Sequence, residues 1–101
     1  MKIKINKQSL KENTTILIDV VKKIVKDNTH NEKQIKDSTL FEIVKCISSW
    51  KESYVNDRTI DGSTYTIKIK SNNCMKSYMF KNKYPDNFSD FLNALKEVIN
   101  D

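Results

Sequence analysis

Two stretches of the chain alternate between polar and apolar residues. Residues 2–5 read Lys2, Ile3, Lys4, Ile5, and residues 64–70 set Tyr65, Ile67 and Ile69 on one side against Thr64, Thr66, Lys68 and Lys70 on the other. A period of two marks a half-buried strand, because successive side chains of an extended backbone point to opposite faces. Ser71-Asn72-Asn73 supplies a turn. A second alternating run follows, in which Lys76, Tyr78 and Phe80 oppose Met75, Ser77 and Met79. The spacing predicts a hairpin over 64–81, ended by Tyr84-Pro85. Phe88, Phe91, Leu92, Leu95, Val98 and Ile99 then recur with a helical period. They predict a helix over 87–99, with Asn87 as its N-cap and Asp90 near its positive end.

The first half of the chain is harder to assign. Ser9-Leu10-Lys11-Glu12 fits a capping box, and Leu10, Leu17, Val20, Val21, Ile24 and Val25 fall on one helical face. Lys22, Lys23 and Lys26 would suit a helix C-terminus, whereas the β-branched run through Thr14, Thr15, Ile16, Ile18, Val20 and Val21 pulls against a helix. On balance the pattern predicts a helix over 9–26. Residues 27–36 are polar and aperiodic and read as a loop. Asp37 or Ser38 can cap a second helix with Leu40, Phe41, Val44, Ile47 and Trp50 on its apolar side. The chain then runs through Tyr54 and Val55 to Asp61-Gly62, a turn dipeptide.

These elements assemble into one α+β domain, 1–101. It is expected to have two N-terminal helices, a small antiparallel sheet built on the hairpin at about 64–81, and a C-terminal helix over about 87–99. A two-stranded hairpin is marginal alone, so residues 2–5 or 55–60 are expected to extend the sheet, with the helices over one face.

Composition changes this picture little. The net charge of +5 could steer the chain to phosphates, or simply reflect a composition rich in Lys, Asn and Ile. Arg58, however, is the only arginine. Sequence-specific nucleic-acid readers lean on the bidentate guanidinium, so a solvated lysine surface is the plainer reading and nucleic acid the lesser partner. Residues 1–5 alternate rather than run apolar, and no stretch approaches a membrane span. A cytoplasmic protein with no membrane partner and two free thiols, Cys46 and Cys74, is expected.

Candidate chemistry is sparse. His30 is the single histidine and sits in a polar loop. Pairing it with Cys46 or Cys74 for nucleophilic catalysis or metal binding finds no supporting spacing, so no cofactor, metal or catalytic residue is expected. Asp57 and Asp61 flank a turn, where acids ordinarily bond local backbone. A lone tryptophan more often completes a core than anchors a partner. Tyr65, Tyr78 and Phe80 on a lysine-bearing hairpin have the composition of a base-stacking surface, but the core needs those rings.

The tract 61–91 resembles a pattern of small bacterial α+β domains, carried by Asp61-Gly62, Tyr65, Ile67, Ile69, Lys76, Tyr78, Asn82, Tyr84-Pro85, Asn87-Phe88 and Phe91. Small motif-free proteins of this kind resemble the immunity proteins of toxin–immunity systems, contact-dependent growth inhibition among them. That resemblance implies a non-enzymatic protein that neutralises one cognate toxin, expected to be a nuclease domain, by direct binding. The residues themselves supply the expected contact region: Arg58, the lone arginine, lies near Trp50 and Tyr54 and between Asp57 and Asp61, so Trp50, Tyr54, Asp57, Arg58 and Asp61 are the candidate partner-binding residues. One departure is the charge, since immunity proteins of basic nuclease toxins tend to be acidic. The element order is also similar to that of ribosome-dependent mRNA interferases, for which Lys68, Lys70, Lys76, Lys81 and Tyr78 would supply the catalytic surface. A lysine-rich nucleic-acid-binding module is the third reading.

Overall fold

The structure, a computed structural model, describes residues 1–9, 11–28, 32–51, 53–55, 63–81 and 83–99. The elements run β1 (Lys2–Gln8), β2 (Asn13–Asp19), β3 (Ile24–Lys26), β4 (Glu32–Gln34), α1 (Asp37–Ser48), β5 (Tyr54–Val55), β6 (Thr64–Ser71), β7 (Cys74–Lys81) and α2 (Phe88–Ile99). The strands form a seven-stranded sheet in the order β4-β3-β2-β1-β6-β7-β5. All neighbours are antiparallel except β5, which runs parallel to β7.

The expected hairpin and C-terminal helix are both present. Two other expectations are corrected. There are not two N-terminal helices, because residues 9–26 hold β2, β3 and the turns around them, and the first helix is α1 at mid-chain. Nor is the sheet small. Residues 2–5 do join the hairpin, as expected, and they lie in the central strand, with β1 pairing to β2 on one side and β6 on the other. Of 55–60, Val55 lies in β5, and 56–60 are outside the described residues.

The capping-box motif explains the first error. The Ser9 hydroxyl accepts the Glu12 N–H at 3.2 Å, the bond it would accept at a helix N-terminus. Here the chain reverses instead: the Ser9 N–H donates to the Glu12 carbonyl at 2.9 Å, and the pair closes the turn between β1 and β2. The Glu12 carboxylate reaches Lys7 at 3.0 Å instead of folding back on Ser9. Past the turn, β-branched residues dominate and extended backbone wins, because their χ1 rotamers crowd a helix and suit a pleated strand. Ile16 and Ile18 are buried while Leu17 between them is exposed, a period of two. Asp19 then accepts the N–H groups of Val21 and Lys22, each at 3.1 Å, and Lys23 takes a positive φ of 58° to turn the chain into β3. Of the lysines expected at a helix end, Lys22 and Lys23 therefore belong to a turn and Lys26 to β3.

The α1 N-cap is Lys36, one residue before the expected Asp37. Asp37 occupies the first turn, where the helix dipole favours a carboxylate, and pairs with Lys23 at 2.7 Å. The two helices lie antiparallel on one face of the sheet. Thr39 near the start of α1 donates to Glu97 near the end of α2, while Asn87 before α2 bonds to Cys46 and Ser49 at the end of α1. The core lies between the layers and joins Ile3, Ile5, Ile16, Ile18, Ile67 and Phe80 of the sheet to Leu40, Ile43 and Ile47 of α1 and Phe91, Leu95 and Val98 of α2.

Candidate functional site

The register fixes what the helix-free face presents. Antiparallel pairing sets directly opposed residues on the same side of a sheet. One transverse row therefore runs Gln34, Ile24, Asp19, Lys2, Lys70, Met75. The next runs Glu32, Lys26, Leu17, Lys4, Lys68, Ser77. A third holds Thr15, Asn6, Thr66 and Met79. The open face thus has two characters. Its third row is neutral and knitted by its own bonds, with Asn6 donating to Thr15 at 3.0 Å and to Asn13 at 2.9 Å. The first two rows are basic and curve into a groove of about 480 Å³.

At the centre of that groove, Lys2 faces Lys70 and Lys4 faces Lys68. Opposed Cα atoms in an antiparallel pair stand roughly 4.5–5.5 Å apart, and like charges so placed repel. Among the described residues none of the four is in an ion pair. Asp19 is the acid nearest in register, opposite Lys2, and its carboxyl is held below its usual range by the Lys22 backbone N–H and then by the Lys2 charge. Lys22 and Lys26 add to the groove wall, and Lys26 meets Glu32 at 3.8 Å. Apolar side chains interrupt the lysines: Leu17 is 45% exposed and Met75 67%. The strand residues described on this face include no aromatic ring.

The expected contact region looks different in space. Trp50 is 5% exposed, with its ring edge-on to Phe80 and Phe91, each at 4.9 Å between centroids. Its indole N–H donates to the Asn87 side chain at 2.7 Å, and its carbonyl accepts the Tyr78 hydroxyl at 3.1 Å. It closes the core where α1, α2 and β7 meet. Tyr54 contributes backbone to β5. Asp57, Arg58 and Asp61 lie outside the described residues, as does His30.

The other candidate sets are also separated. Lys68 and Lys70 stand on the open face, whereas Lys76 and Tyr78 share the helix-covered side, and Tyr78 is buried. The lysines and tyrosine of an interferase-like surface are therefore not brought together. Phe80 is fully buried, and Tyr65 packs against Phe88 at 4.9 Å. The rings of the hairpin fill the core instead of offering a stacking platform. Burial raises the Cys46 thiol above its usual pKa, helped by the Glu42 and Asp90 charges and opposed by Lys45. Cys74 is exposed. Among the described residues no group of three or more His, Cys, Asp or Glu could hold a metal, and no helix is long and apolar enough to cross a membrane.

The lysine rows escaped the reading of the sequence, although a signal for them was present. Residues 2–5 and 67–70 share an alternation of lysine with isoleucine. Once these strands pair antiparallel with isoleucines inward, their lysines must stack outward in opposed couples. Compared with known proteins, the chain matches no family model, no curated protein and no solved structure.

Proposed function

We propose that this is a binding protein of the immunity type, acting in the cytoplasm, which neutralises a cognate toxin by covering part of its surface. One observation carries the reading: the sheet commits one face to α1 and α2 and leaves the other free of any described helix, with lysines in opposed couples, in no ion pair among the described residues, around exposed Leu17 and Met75. Opposed like charges and exposed apolar side chains both cost a free protein stability or solubility. Arrangements of that kind persist where a partner relieves them, and a rigid sheet is a suitable base for them. Charge would set the rate and selectivity of encounter, and the apolar residues would be desolvated on docking.

The test is co-expression with the toxin encoded by the neighbouring gene. Restored growth, with a stable complex on size-exclusion chromatography, is the expected result. The proposal fails if the chain does not protect, or if it arrests growth when expressed alone.

A further inference from the structure

We infer that the two lysine rows of the open sheet face are the docking surface, and that the partner presents an acidic protein surface carrying apolar side chains. This rests on the immunity reading and adds to it the surface used and the chemistry that surface recognises.

Charge gives the first half of the inference. Lys2, Lys4, Lys22, Lys26, Lys68 and Lys70 line the groove, against two acids, Asp19 and Glu32. The central four stand directly opposed on adjacent strands, like charge against like charge, and share no carboxylate within the described chain. A carboxylate arriving between opposed lysines would neutralise both and remove their mutual repulsion.

The neighbours of the lysines decide between protein and nucleic acid. Leu17 stands beside Lys4 in the second row, and Met75 beside Lys70 in the first. A phosphate backbone would leave these apolar side chains against hydrated oxygens, whereas an acidic protein surface can bury them under its own apolar residues. Single strands are held by rings on which bases stack. The described strand residues of this face have none, because Tyr78 and Phe80 point into the core. Lysines interleaved with Leu and Met therefore favour carboxylates with apolar company.

The register also supplies a test free of folding artefacts. Lys68→Glu/Lys70→Glu on β6 would place a carboxylate opposite each of Lys4 and Lys2, turning two repulsive couples into attractive ones. The free variant should melt at a higher temperature than wild type while its groove loses its net positive charge.

Three probes are titrated into the labelled protein and followed residue by residue by NMR at low salt: an all-glutamate peptide, a repeating Glu-Glu-Leu peptide and a single-stranded DNA oligonucleotide. The expected result is tightest binding by the Glu-Glu-Leu peptide, with shifts on the outward residues of β1, β2 and β6. The double variant should bind it about tenfold or more weakly despite its higher melting temperature. Tighter binding by the oligonucleotide would make this a nucleic-acid surface and overturn the inference. So would shifts confined to the helices, or undiminished binding by the variant. The same variant in the toxin assay separates the two proposals. Protection that survives Lys68→Glu/Lys70→Glu refutes this face alone. Peptide binding on the mapped face without toxin protection by the wild type refutes the immunity reading alone.

Discussion

Asn87→Ala is expected to be among the most damaging single changes outside the apolar core. Asn87 sits just before α2, and its side chain bonds in two directions. Its Oδ1 accepts the Trp50 indole N–H at 2.7 Å, and its Nδ2 donates to Ser49 Oγ at 2.7 Å and to the Cys46 carbonyl at 3.3 Å. The indole bond dominates. Trp50 is buried, so alanine leaves its N–H without a partner, at a cost of about 1–3 kcal/mol. The other two bonds are worth less. The Cys46 carbonyl still accepts the Ser49 N–H and hydroxyl, so their loss together adds roughly 1 kcal/mol. The total is about 2–4 kcal/mol, a large share of the ~5–15 kcal/mol that typically holds a domain together.

Urea unfolding followed by far-ultraviolet circular dichroism reads this directly. With a slope of about 1–3 kcal/mol per molar urea, the midpoint should fall by roughly 1–2 M. A double-mutant cycle isolates the indole bond. In a Trp50→Phe background no N–H is orphaned, and Asn87→Ala should cost about 1–3 kcal/mol less than in wild type. An equal cost in both backgrounds would refute the reasoning and place the effect of Asn87 in the α1 contacts alone.

Two further outcomes follow from the titrating groups. Cys74 should react rapidly with iodoacetamide in the native protein and Cys46 only on unfolding, as read by mass spectrometry of digests, because burial keeps the Cys46 thiol protonated and covered. Since the folded Cys46 pKa is raised, its contribution to stability is full below the ordinary thiol range and lost as pH climbs from there through the raised folded value. Labelling of both thiols at similar rates would contradict the burial. Asp19 has the opposite sign: its folded carboxyl is held below its usual range, so its contribution is present above that range and lost as pH falls through the folded value. Asp19→Asn keeps a side-chain acceptor for the Val21 and Lys22 N–H groups but has no proton to take up, so its urea midpoint should decline less steeply with acid than that of wild type. Parallel acid profiles would refute this.

The C-terminal half was legible in the sequence because local pattern and tertiary context agree there. Ser71-Asn72-Asn73 turns, Tyr65, Ile67, Tyr78 and Phe80 point to the core, and the apolar period from Phe88 onward builds α2. Residues 9–26 were not, because two local signals disagreed. The bond from Glu12 N–H to Ser9 Oγ serves a hairpin turn as well as a helix cap, and Val21, counted on a helical face, is an exposed turn residue. The β-branched run was the truer guide. The open face needed one more fact that composition does not carry, the antiparallel pairing of β1 with β6. That pairing joins strands some sixty residues apart and turns two ordinary lysine alternations into one basic surface.

The same pairing shapes how the chain reaches its fold. The meander β1 to β4 and the hairpin β6–β7 close through short loops, whereas the β1–β6 seam must bring distant segments together. The seam is therefore expected to form late, and until it does β1 has a bare edge through the middle of the future sheet. Such an edge is a template for other chains, and charge is a common means of keeping them away. Lys2, Lys4 and Lys7 lie along that strand. Two of the lysines assigned here to partner recognition would then also serve while the chain is still assembling, holding other strands off until β6 arrives.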